Sequence, residues 1–321
     1  MPGTRIAALG HYQPDRVLTN DDLAEVVETN DAWIRQRTGI ATRRIAAEDE
    51  TVADMATAAA GKALAAAGPA PSDIGMVVVA TCSARDRCPS TAAQVARRLE
   101  IPSPVAYDLN NGCAGFCTAL ASASHSVAAG AARHALVIGA EKMSDLTDWS
   151  DRGTCVLLAD GAGAAVVSVQ PDSAASEGPD GIGPVEWGSD PSRGDLVRLL
   201  DAWQPRFAQE GPAVFRWATA ELPTLARRAC ERAGLAPGDL AGVVTHQANL
   251  RLIEAALGRL DLPGNVVIGR DVVDSGNTSA ASVPLALSKL VERRELEPGA
   301  PVLLLSFGGG MSWAGQVVRC P

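Results

Sequence analysis

The chain has 321 residues, which is enough for two lobes of ordinary domain size or for one large domain built from two similar halves. Hydrophobic residues make up 47% and charged residues 20%, a balance typical of globular chains and not of disordered ones. The formal net charge of −9 argues against a general nucleic-acid binder, which needs a basic face, so we expect no nucleic-acid partner.

The beginning of the chain, MPGTRIAALGHYQPD, lacks the charged-then-apolar layout of a signal peptide, and no uncharged apolar run reaches the roughly 18 residues of a membrane span. The seven cysteines are an odd number in a chain without an export signal. We therefore expect reduced thiols, a cytoplasmic location and no membrane partner. The four histidines show no metal-ligand spacing and no Cys-x-x-Cys pair is present, so we expect no metal site.

Strand and helix patterns alternate along the chain, which favours an α/β architecture. The apolar runs predict strands at Met76–Ala80, Val105–Leu109, Ala135–Gly139, Cys155–Ala159, Gly242–Thr245, Val302–Ser306 and Gly315–Val318. The amphipathic and Ala-rich stretches predict helices at Val52–Ala67, Ser90–Leu99, Cys113–Gly130, Ala218–Ala233, Leu250–Leu260 and Ala280–Arg293. Since aromatic residues make up only 4%, small side chains must fill the core, which suits helices buried inside a layered fold.

The two halves of the chain resemble each other. Three pairs of stretches match in the same order: 67–81 with 233–247, 97–105 with 258–266, and 112–123 with 276–287. The first pair reads AGPAPSDIGMVVVAT and AGLAPGDLAGVVTHQ, with helix end, turn and strand in the same order. We predict two diverged duplicates.

The repeat also aligns chemistry-bearing residues. Cys113 pairs with Asn277, and Cys82 pairs with His246 because 113 − 82 and 277 − 246 are both 31. The Pro/Gly/Ser-rich segment 170–194 is the natural seam. We therefore divide the chain into an N-terminal half, 1–170, which carries Cys113, and a C-terminal half, 171–321, which carries His246 and Asn277.

Cys113 stands where an apolar strand gives way to a small-residue helix, in the stretch NNGCAGFCTAL. Unpaired N–H groups and the macrodipole at a helix N-terminus favour a thiolate and can lower its pKa. Gly112 and Gly115 permit a sharp turn and a close backbone approach. This pattern leaves two interpretations open, a reactive nucleophile and a buried structural cysteine.

His246 and Asn277 are ambiguous in the same way. His246 ends a predicted strand, where α/β folds place groups that face ligands, but a core histidine with satisfied hydrogen bonds fits equally well. Asn277 in DSGNTSAAS suits an ordinary turn or N-cap asparagine. Duplicated halves packed face to face would place equivalent strand ends near one another. Cys113, His246 and Asn277 could then meet.

The ordered set of motifs resembles beta-ketoacyl-ACP synthase III, a condensing enzyme of the thiolase superfamily. The stretches that carry the resemblance are NNGCAGF, HQANLRLIE, GNTSAASVP, NDAWIRQRTGIATRRIAAEDET (30–51), RGTCVLLADGAGAAVV (152–167), AVFRWA (213–218) and FGGGMSWAG (307–315). The resemblance covers essentially the whole chain. It implies a thiolase-like fold, in which two pseudo-symmetric α/β halves form a layered αβαβα core, and a homodimer.

The resemblance also implies a reaction. Cys113 would take an acyl group from acyl-CoA, malonyl-ACP would lose carbon dioxide, and the resulting carbanion would attack the acyl-enzyme to give beta-ketoacyl-ACP in fatty-acid or polyketide initiation. His246 and Asn277 match the donors to the enolate, and the backbone N–H groups of Cys113 and Gly309 match the donors to the acyl oxyanion. Coenzyme A would be part of a substrate, and we expect no cofactor. The stretch DGAGAA lacks the full glycine pattern of a dinucleotide site.

The same resemblance assigns residues to substrate binding. Trp33 and Arg152 would lie on the faces of the adenine ring of coenzyme A and Arg37 near its phosphates, since aromatic and guanidinium planes stack on bases and arginine suits phosphate. Asn249 would contact the pantetheine arm, and Phe215 would lie on the substrate side.

Further positions concern the carrier protein and the acyl group. Arg216 and Arg251 match positions that help to dock the acidic carrier protein. Cys88 stands where many relatives have a phenylalanine that reaches across the dimer into the partner's acyl tunnel, so a primer larger than acetyl is plausible. Pro212 replaces a polar residue near pantetheine, which puts that contact in doubt.

Two other functions remain open on the sequence. A specialised acyltransferase would load Cys113 and pass the acyl group to a hydroxyl, an amine or a carrier thiol without forming a carbon–carbon bond. A silent partner subunit would only shape a cavity for a second synthase. Asn277 favours condensation over transfer, and the intact set of Cys113, His246 and Asn277 argues against a silent subunit.

Overall fold

Two five-stranded sheets form the frame of the protein in the computed structural model, which describes residues 2–170, 180–201 and 203–321. The first half contains β1 (Thr4–Tyr12), β2 (Val17–Thr19), α1 (Asn20–Ala24), α2 (Asp31–Thr38), β3 (Thr42–Arg44), α3 (Val52–Ala67), β4 (Ile74–Ala80), α4 (Thr91–Arg98), β5 (Val105–Leu109), α5 (Gly115–Ala128), β6 (His134–Lys142) and β7 (Asp160–Val169). The second contains β8 (Glu186–Ser189), β9 (Val197–Leu200), β10 (Arg206–Gln209), α6 (Gly211–Arg232), β11 (Gly242–Thr245), α7 (Leu250–Leu257), β12 (Val267–Ile268), α8 (Val272–Ser275), α9 (Ser282–Glu292), β13 (Pro301–Gly308) and β14 (Ser312–Arg319).

The two sheets have the same topology. The strand orders are β1-β7-β6-β4-β5 in the first sheet and β8-β14-β13-β11-β12 in the second. In each sheet the two ladders nearest β5 or β12 are parallel, and the two nearest β1 or β8 are antiparallel. This confirms the α/β class and the duplicated frame that the repeats predict.

The helices complete five layers. Helix α5 contacts β4, β6 and β7 of one sheet and β13 and β14 of the other, and α9 likewise contacts strands of both sheets. Helix α3 covers the outer face of the first sheet and α6 that of the second. The order is therefore helix, sheet, helix pair, sheet, helix, as expected for the αβαβα core.

The inner layer depends on residues with little or no side chain. A Cβ on Gly163 of β7 would lie only 2.5 Å from the backbone nitrogen of Leu285 and 2.7 Å from the carbonyl carbon of Pro284, both in α9. The helix thus rests directly on the strand backbone. This close packing explains why a core of this size uses so few aromatic residues.

Most of the predicted elements are confirmed, but one strand is wrong. The run 155–159 forms turns, because the N–H of Cys155 donates to the Asp151 carbonyl and that of Leu157 to the Thr154 carbonyl. The strand follows instead, as β7, where Gly161 and Gly163 make the sequence look like a loop. Apolar pattern alone does not separate a buried turn from a strand.

Three predicted helices begin at least two residues away from their predicted starts, and the one predicted from Ala280 begins at Ser282. The helix predicted from Cys113 begins at Gly115, after a single 3₁₀ turn over Gly112–Ala114. The helix predicted from Ala218 begins at Gly211, because Pro212 fits the first turn of a helix, where its missing N–H costs nothing.

The domain division at 170/171 stays a prediction. Part of its seam, residues 171–179, lies outside the described residues. The first sheet uses strands up to Val169 and the second uses strands from Glu186 onward.

Gly163→Ala is expected to destabilise the protein by about 1–3 kcal/mol, because a methyl group there must push α9 off the sheet. The free energy of unfolding in urea measures this. Gly61→Ala in α3 is the matched control, since its nearest contact would be Leu99 Cδ2 at 3.7 Å. That variant is expected to be more stable by about 0.5–1 kcal/mol. Equal stability of the Gly163 variant and the wild type would contradict the close packing.

Candidate active site

Cys113 lies in the 3₁₀ turn that links β5 to α5, facing the interface between the two halves. The turn begins at Gly112, whose φ of +50° favours a residue without a side chain. This conformation turns the chain sharply from the sheet into the inner helix. The Cys113 residue as a whole is half-buried, and its thiol lies inside the protein.

The second half reaches Cys113 through its late glycine loop. A Cβ on Gly308 would lie 2.7 Å from the Cys113 nitrogen and 2.9 Å from the Cys113 Cβ. A Cβ on Gly112 would lie 3.4 Å from the nitrogen of Gly309. The backbone N–H groups of Cys113 and Gly309 therefore belong to neighbouring segments, as the predicted oxyanion site requires.

His246 directly follows β11 and is 3% exposed. Its Nδ1 lies 2.8 Å from Ser282 Oγ, and its ring packs edge-on against Phe307, next to Gly308. Ser282 Oγ also accepts the N–H of Gln247, so its own hydroxyl proton is free to point at Nδ1. On this basis we assign the ring proton to Nε2.

Burial lowers the pKa of His246 to about 3. The imidazole is therefore neutral near pH 7 and donates a hydrogen bond without carrying a charge. A neutral ring cannot stabilise a thiolate as a cation would.

Asn277 follows α8 and is held from two directions. Its backbone pairs with the 155–159 segment, since its N–H donates to the Leu157 carbonyl and its carbonyl accepts from the Ala159 N–H. Its side-chain Oδ1 accepts the N–H of Ser279 at 2.9 Å. With Oδ1 fixed in this way, Nδ2 is the atom of the amide that is left to donate.

Ser279 connects Asn277 to the cysteine. Its backbone N–H holds the Asn277 amide, and its hydroxyl lies 3.4 Å from Cys113 Sγ. His246 reaches the same place through Phe307 and Gly308. The structure thus brings together the three residues that the sequence singled out.

The expectation that the helix N-terminus lowers the pKa of Cys113 is not met. Burial raises the pKa of this thiol to about 11; the hydrogen bond from Ser279 opposes that shift, and the Glu141 carboxylate adds to it. Two features of the structure explain the difference. His246 is neutral, and α5 begins only at Gly115.

Glu141 is a residue that the motifs did not single out. It lies near the end of β6, is fully buried, and accepts hydrogen bonds from the Thr81 hydroxyl, the Cys82 N–H and thiol, and the hydroxyls of Ser83 and Ser279. Its position at the carboxyl end of a buried strand could have indicated Glu141 from the sequence, because α/β folds place ligand-facing groups there.

Trp33 lies between two arginines at the protein surface. The guanidinium carbon of Arg152 is 5.0 Å from the Trp33 ring centroid and that of Arg37 is 5.9 Å away. Arg152 also donates to the Glu28 carbonyl. The three residues predicted to bind the nucleotide of coenzyme A therefore form one cluster, an aromatic ring with two positive charges over it.

The remaining predicted binding residues lie on α6, on α7 and its cap, and on the loop before α4. Asn249 caps α7, since its Oδ1 accepts the Leu252 N–H. Arg251 ties the same helix to α2 by donating to the Gln36 carbonyl. Phe215 and Arg216 are exposed on α6, and Cys88 is exposed on the loop before α4.

A cavity of about 730 Å³ lies beside the site. Its wall includes Cys82 and Ser83, which contact Glu141, and also Trp149, Trp203 and Arg206. Its volume is in the range of pockets that bind small molecules.

The described residues contain neither a metal-binding cluster nor a membrane-spanning helix. No group of three or more histidine, cysteine or acidic side chains there could hold a metal ion. In the part of the chain that the structure describes, every helix is too short or too polar to cross a bilayer.

Comparison with known proteins places these features in one family. Residues 107–191 match the family model for 3-oxoacyl-[acyl-carrier-protein] synthase III, and residues 230–320 match that for its C-terminal part. The chain is 63% identical to beta-ketoacyl-[acyl-carrier-protein] synthase III 2 of Streptomyces avermitilis, over 100% of both chains. It is 61% identical to beta-ketoacyl-[acyl-carrier-protein] synthase III 4 of Streptomyces coelicolor, over 99% of both.

A solved structure is also close. The priming beta-ketosynthase from the R1128 polyketide biosynthetic pathway superposes with a TM-score of 0.95 at 40% identity, covering 100% of this chain and 97% of that one.

The imidazole of His246 is expected to stay neutral, protonated at Nε2, from about pH 8 to about pH 5, because its pKa lies far below the usual value. Nitrogen-15 NMR of the histidine side chains measures this. Ser282→Ala removes the hydroxyl that contacts Nδ1, so His246 should become a mixture of its two neutral tautomers. Ser288→Ala is the control, because Ser288 lies on the same helix but its hydroxyl contacts His11. That variant should not change the tautomer of His246. A charged His246 ring at pH 6 would contradict the assignment.

Proposed function

The chain belongs to the 3-oxoacyl-[acyl-carrier-protein] synthase III family, and from this membership we propose that it joins an acyl group from acyl-CoA to malonyl-ACP through an acyl-Cys113 intermediate. The reaction is a decarboxylative Claisen condensation that yields beta-ketoacyl-ACP and initiates a fatty acid or a polyketide. One observation carries the assignment of residues. The Cys113 thiol lies between the Gly308 loop and the Ser279–Asn277 segment of the other half.

The condensation step needs donors for the enolate that forms when malonyl-ACP loses carbon dioxide. His246 offers Nε2–H and Asn277 offers Nδ2, and each group is fixed in place by a hydrogen bond on its other side. Fixed donors in a buried site stabilise developing charge without reorganising. No base is required to form the carbanion, since loss of carbon dioxide generates it.

The acylation step develops charge on the oxygen of the acyl group. We assign the backbone N–H groups of Cys113 and Gly309 to that oxygen. The close approach of the two segments supports this pairing. A side chain at Gly308 would force them apart.

We assign the nucleotide of coenzyme A to Trp33, Arg37 and Arg152. A base stacks on an aromatic or guanidinium plane, and the two cations suit the phosphates. Asn249 and Phe215 would line the path of the pantetheine arm. Coenzyme A is part of the substrate here, and the reaction needs no cofactor.

We place the carrier protein against Arg216 and Arg251, which are exposed cations on a chain of net charge −9. We further propose a homodimer in which the exposed Cys88 meets the partner's acyl cavity, and a cytoplasmic location. The seven cysteines are all free thiols, which suits a reducing compartment.

Intact-protein mass spectrometry after incubation with a panel of acyl-CoAs tests the function. One acyl mass is expected on Cys113, and malonyl-ACP should then discharge it with release of carbon dioxide and formation of beta-ketoacyl-ACP. Cys113→Ala should load nothing, because no other thiol occupies the turn before α5. Cys117→Ala, which removes a buried cysteine one helical turn further on, should load normally.

Other results would change the assignment. An acyl group that loads but is not discharged by malonyl-ACP would favour transfer to a different acceptor over condensation. Loading that persists in Cys113→Ala would refute the nucleophile.

Trp33→Ala is expected to raise the KM for acyl-CoA about tenfold or more, because stacking of a base on an aromatic ring is worth about 1–3 kcal/mol. The KM for the matching acyl-pantetheine, which has no nucleotide, should not change. Steady-state rates with both donors measure this. Trp187→Ala, at another partly exposed tryptophan, is the control. An equal rise for both donors would place Trp33 elsewhere than on the nucleotide.

A further inference from the structure

A buried carboxylate contacts the Cys113 thiol through a single hydroxyl group. Ser279 Oγ lies 3.4 Å from Cys113 Sγ and 3.0 Å from Oε1 of Glu141. The condensation and acylation steps described above do not use Glu141. Glu141 is fully buried, and the Ser279 hydroxyl contacts both its carboxylate and the reacting sulfur.

The hydroxyl of Ser279 has only one proton, so it cannot donate to both neighbours at once. Both contacts have the geometry of a bond from the Ser279 hydroxyl, but Glu141, when ionised, can only accept a hydrogen bond, whereas the Cys113 thiol can also donate one. In the thiol form the hydroxyl proton therefore points at Glu141 and the Ser279 oxygen accepts the S–H of Cys113, whereas in the thiolate form the same hydroxyl donates to Sγ, the bond that opposes the rise of the Cys113 pKa. The three groups then form a chain of two hydrogen bonds that runs from the thiol to the carboxylate.

The other groups around Glu141 are donors. They are the Thr81 hydroxyl, the Cys82 N–H and thiol, and the Ser83 hydroxyl. The neighbouring cation, Lys142, turns its ammonium away to the carbonyls of Ala47, Glu48 and Glu50. Among the described residues, Glu141 has no ion-pair partner within 4.0 Å.

These surroundings leave Glu141 able to take a proton. Burial raises its pKa, and the hydrogen bonds that it accepts oppose the rise. A carboxylate that is held by neutral donors and lacks a cation gains a proton more readily than one in an ion pair.

We propose that Glu141, acting through Ser279, takes the Cys113 proton during acylation, stores it while the acyl-enzyme exists, and returns it when the condensation releases the sulfur. The proposal rests on the function proposed above, since it assumes an acyl-Cys113 intermediate. Ser279 touches the reacting sulfur, whereas Glu141 is a positioning residue that holds the Ser279 hydroxyl and the stored proton.

Acylation moves one acyl group to Cys113 and one proton to Glu141. The S–H bond of Cys113 breaks, its proton goes to Ser279 Oγ, and the Ser279 proton goes to Glu141. The sulfur electron pair forms the bond to the acyl carbon, and the carbon–sulfur bond to coenzyme A breaks with its electrons on the coenzyme A sulfur. That thiolate takes a proton from solvent as it leaves.

The condensation step reverses the relay. The carbanion forms the new carbon–carbon bond, and the bond between the acyl carbon and Cys113 breaks with its electrons on sulfur. The proton on Glu141 then returns through Ser279 to Cys113. Over the full cycle one solvent proton is consumed, by coenzyme A, and Glu141 ends as it began.

The relay also explains how the Cys113 thiol can react although its pKa is raised. A free thiolate is not needed before the substrate binds, because the proton leaves during attack along hydrogen bonds that already exist. The buried thiol is therefore protected until an acyl thioester is in place.

Infrared difference spectroscopy tests the stored proton directly. The spectrum of acyl-enzyme minus free enzyme should show a new C=O stretch of a protonated carboxyl group. Protein labelled with ¹³C-glutamate should shift that band, which distinguishes glutamate from aspartate. The band should vanish when malonyl-ACP discharges the enzyme.

Two variants and a control sharpen the test. Glu141→Gln and Ser279→Ala should lose the band and slow acylation about a hundredfold, in the range of a general acid–base contribution. Asp160→Asn is the matched control, because Asp160 is also a fully buried carboxylate near a strand end, held by Ser144 and Ala46. That variant should keep the band and the acylation rate. The wild-type spectrum decides the question even if a variant does not fold.

The possible outcomes distinguish a failure of the relay from a failure of the proposed function. If mass spectrometry shows acyl-Cys113 and the labelled spectrum shows no protonated glutamate, the relay is wrong and the function stands. If no acyl group loads on wild-type Cys113, the proposed function fails first. A band that persists in Glu141→Gln would assign the stored proton to another group and overturn the proposal.

Discussion

The close approach of Gly308 to Cys113 is the contact on which the site depends. Cys113 leaves the first sheet and Gly308 ends a strand of the second, and there is no space for a Cβ between them. Two chain segments of different halves can meet at this distance only if the halves pack with their inner helices in contact. The small residues along β7, α5 and α9 make that packing possible, so core composition and site geometry have one cause.

The same packing sets the protonation states in the site. Burial raises the pKa of the Cys113 thiol, lowers that of His246 and raises that of Glu141. All three groups are thereby biased toward their uncharged forms, since a buried charge without a partner is costly. A dry site of fixed dipoles also strengthens each hydrogen bond to a developing charge, which is what acyl transfer and decarboxylation require.

The duplicated frame carries different chemistry at equivalent points. A 3₁₀ turn precedes the inner helix in each half, with Cys113 in one, and with Asn277 just before the other. His246 follows β11 as Cys82 lies just after β4. Cys82 and Ser279 both contact Glu141, so residues of both halves share the buried carboxylate. A common scaffold thus supplied equivalent positions that diverged into different roles.

The sequence by itself determined the α/β class, the duplication and the candidate residues Cys113, His246 and Asn277. Local periodicity was sufficient for Val52–Ala67 and Gly242–Thr245, because each is a single regular element with one apolar pattern. The ordered motifs then identified the family. These features are encoded within short stretches, and short stretches can be interpreted without knowing what lies against them.

Only the tertiary structure decided the rest. The run 155–159 forms turns through its own local hydrogen bonds, and its end is held by Asn277, more than a hundred residues away. The high pKa of Cys113, the neutral ring of His246 and the surroundings of Glu141 all follow from burial and from contacts between the halves. Burial and long-range hydrogen bonds depend on which surfaces meet, and no local pattern contains that information.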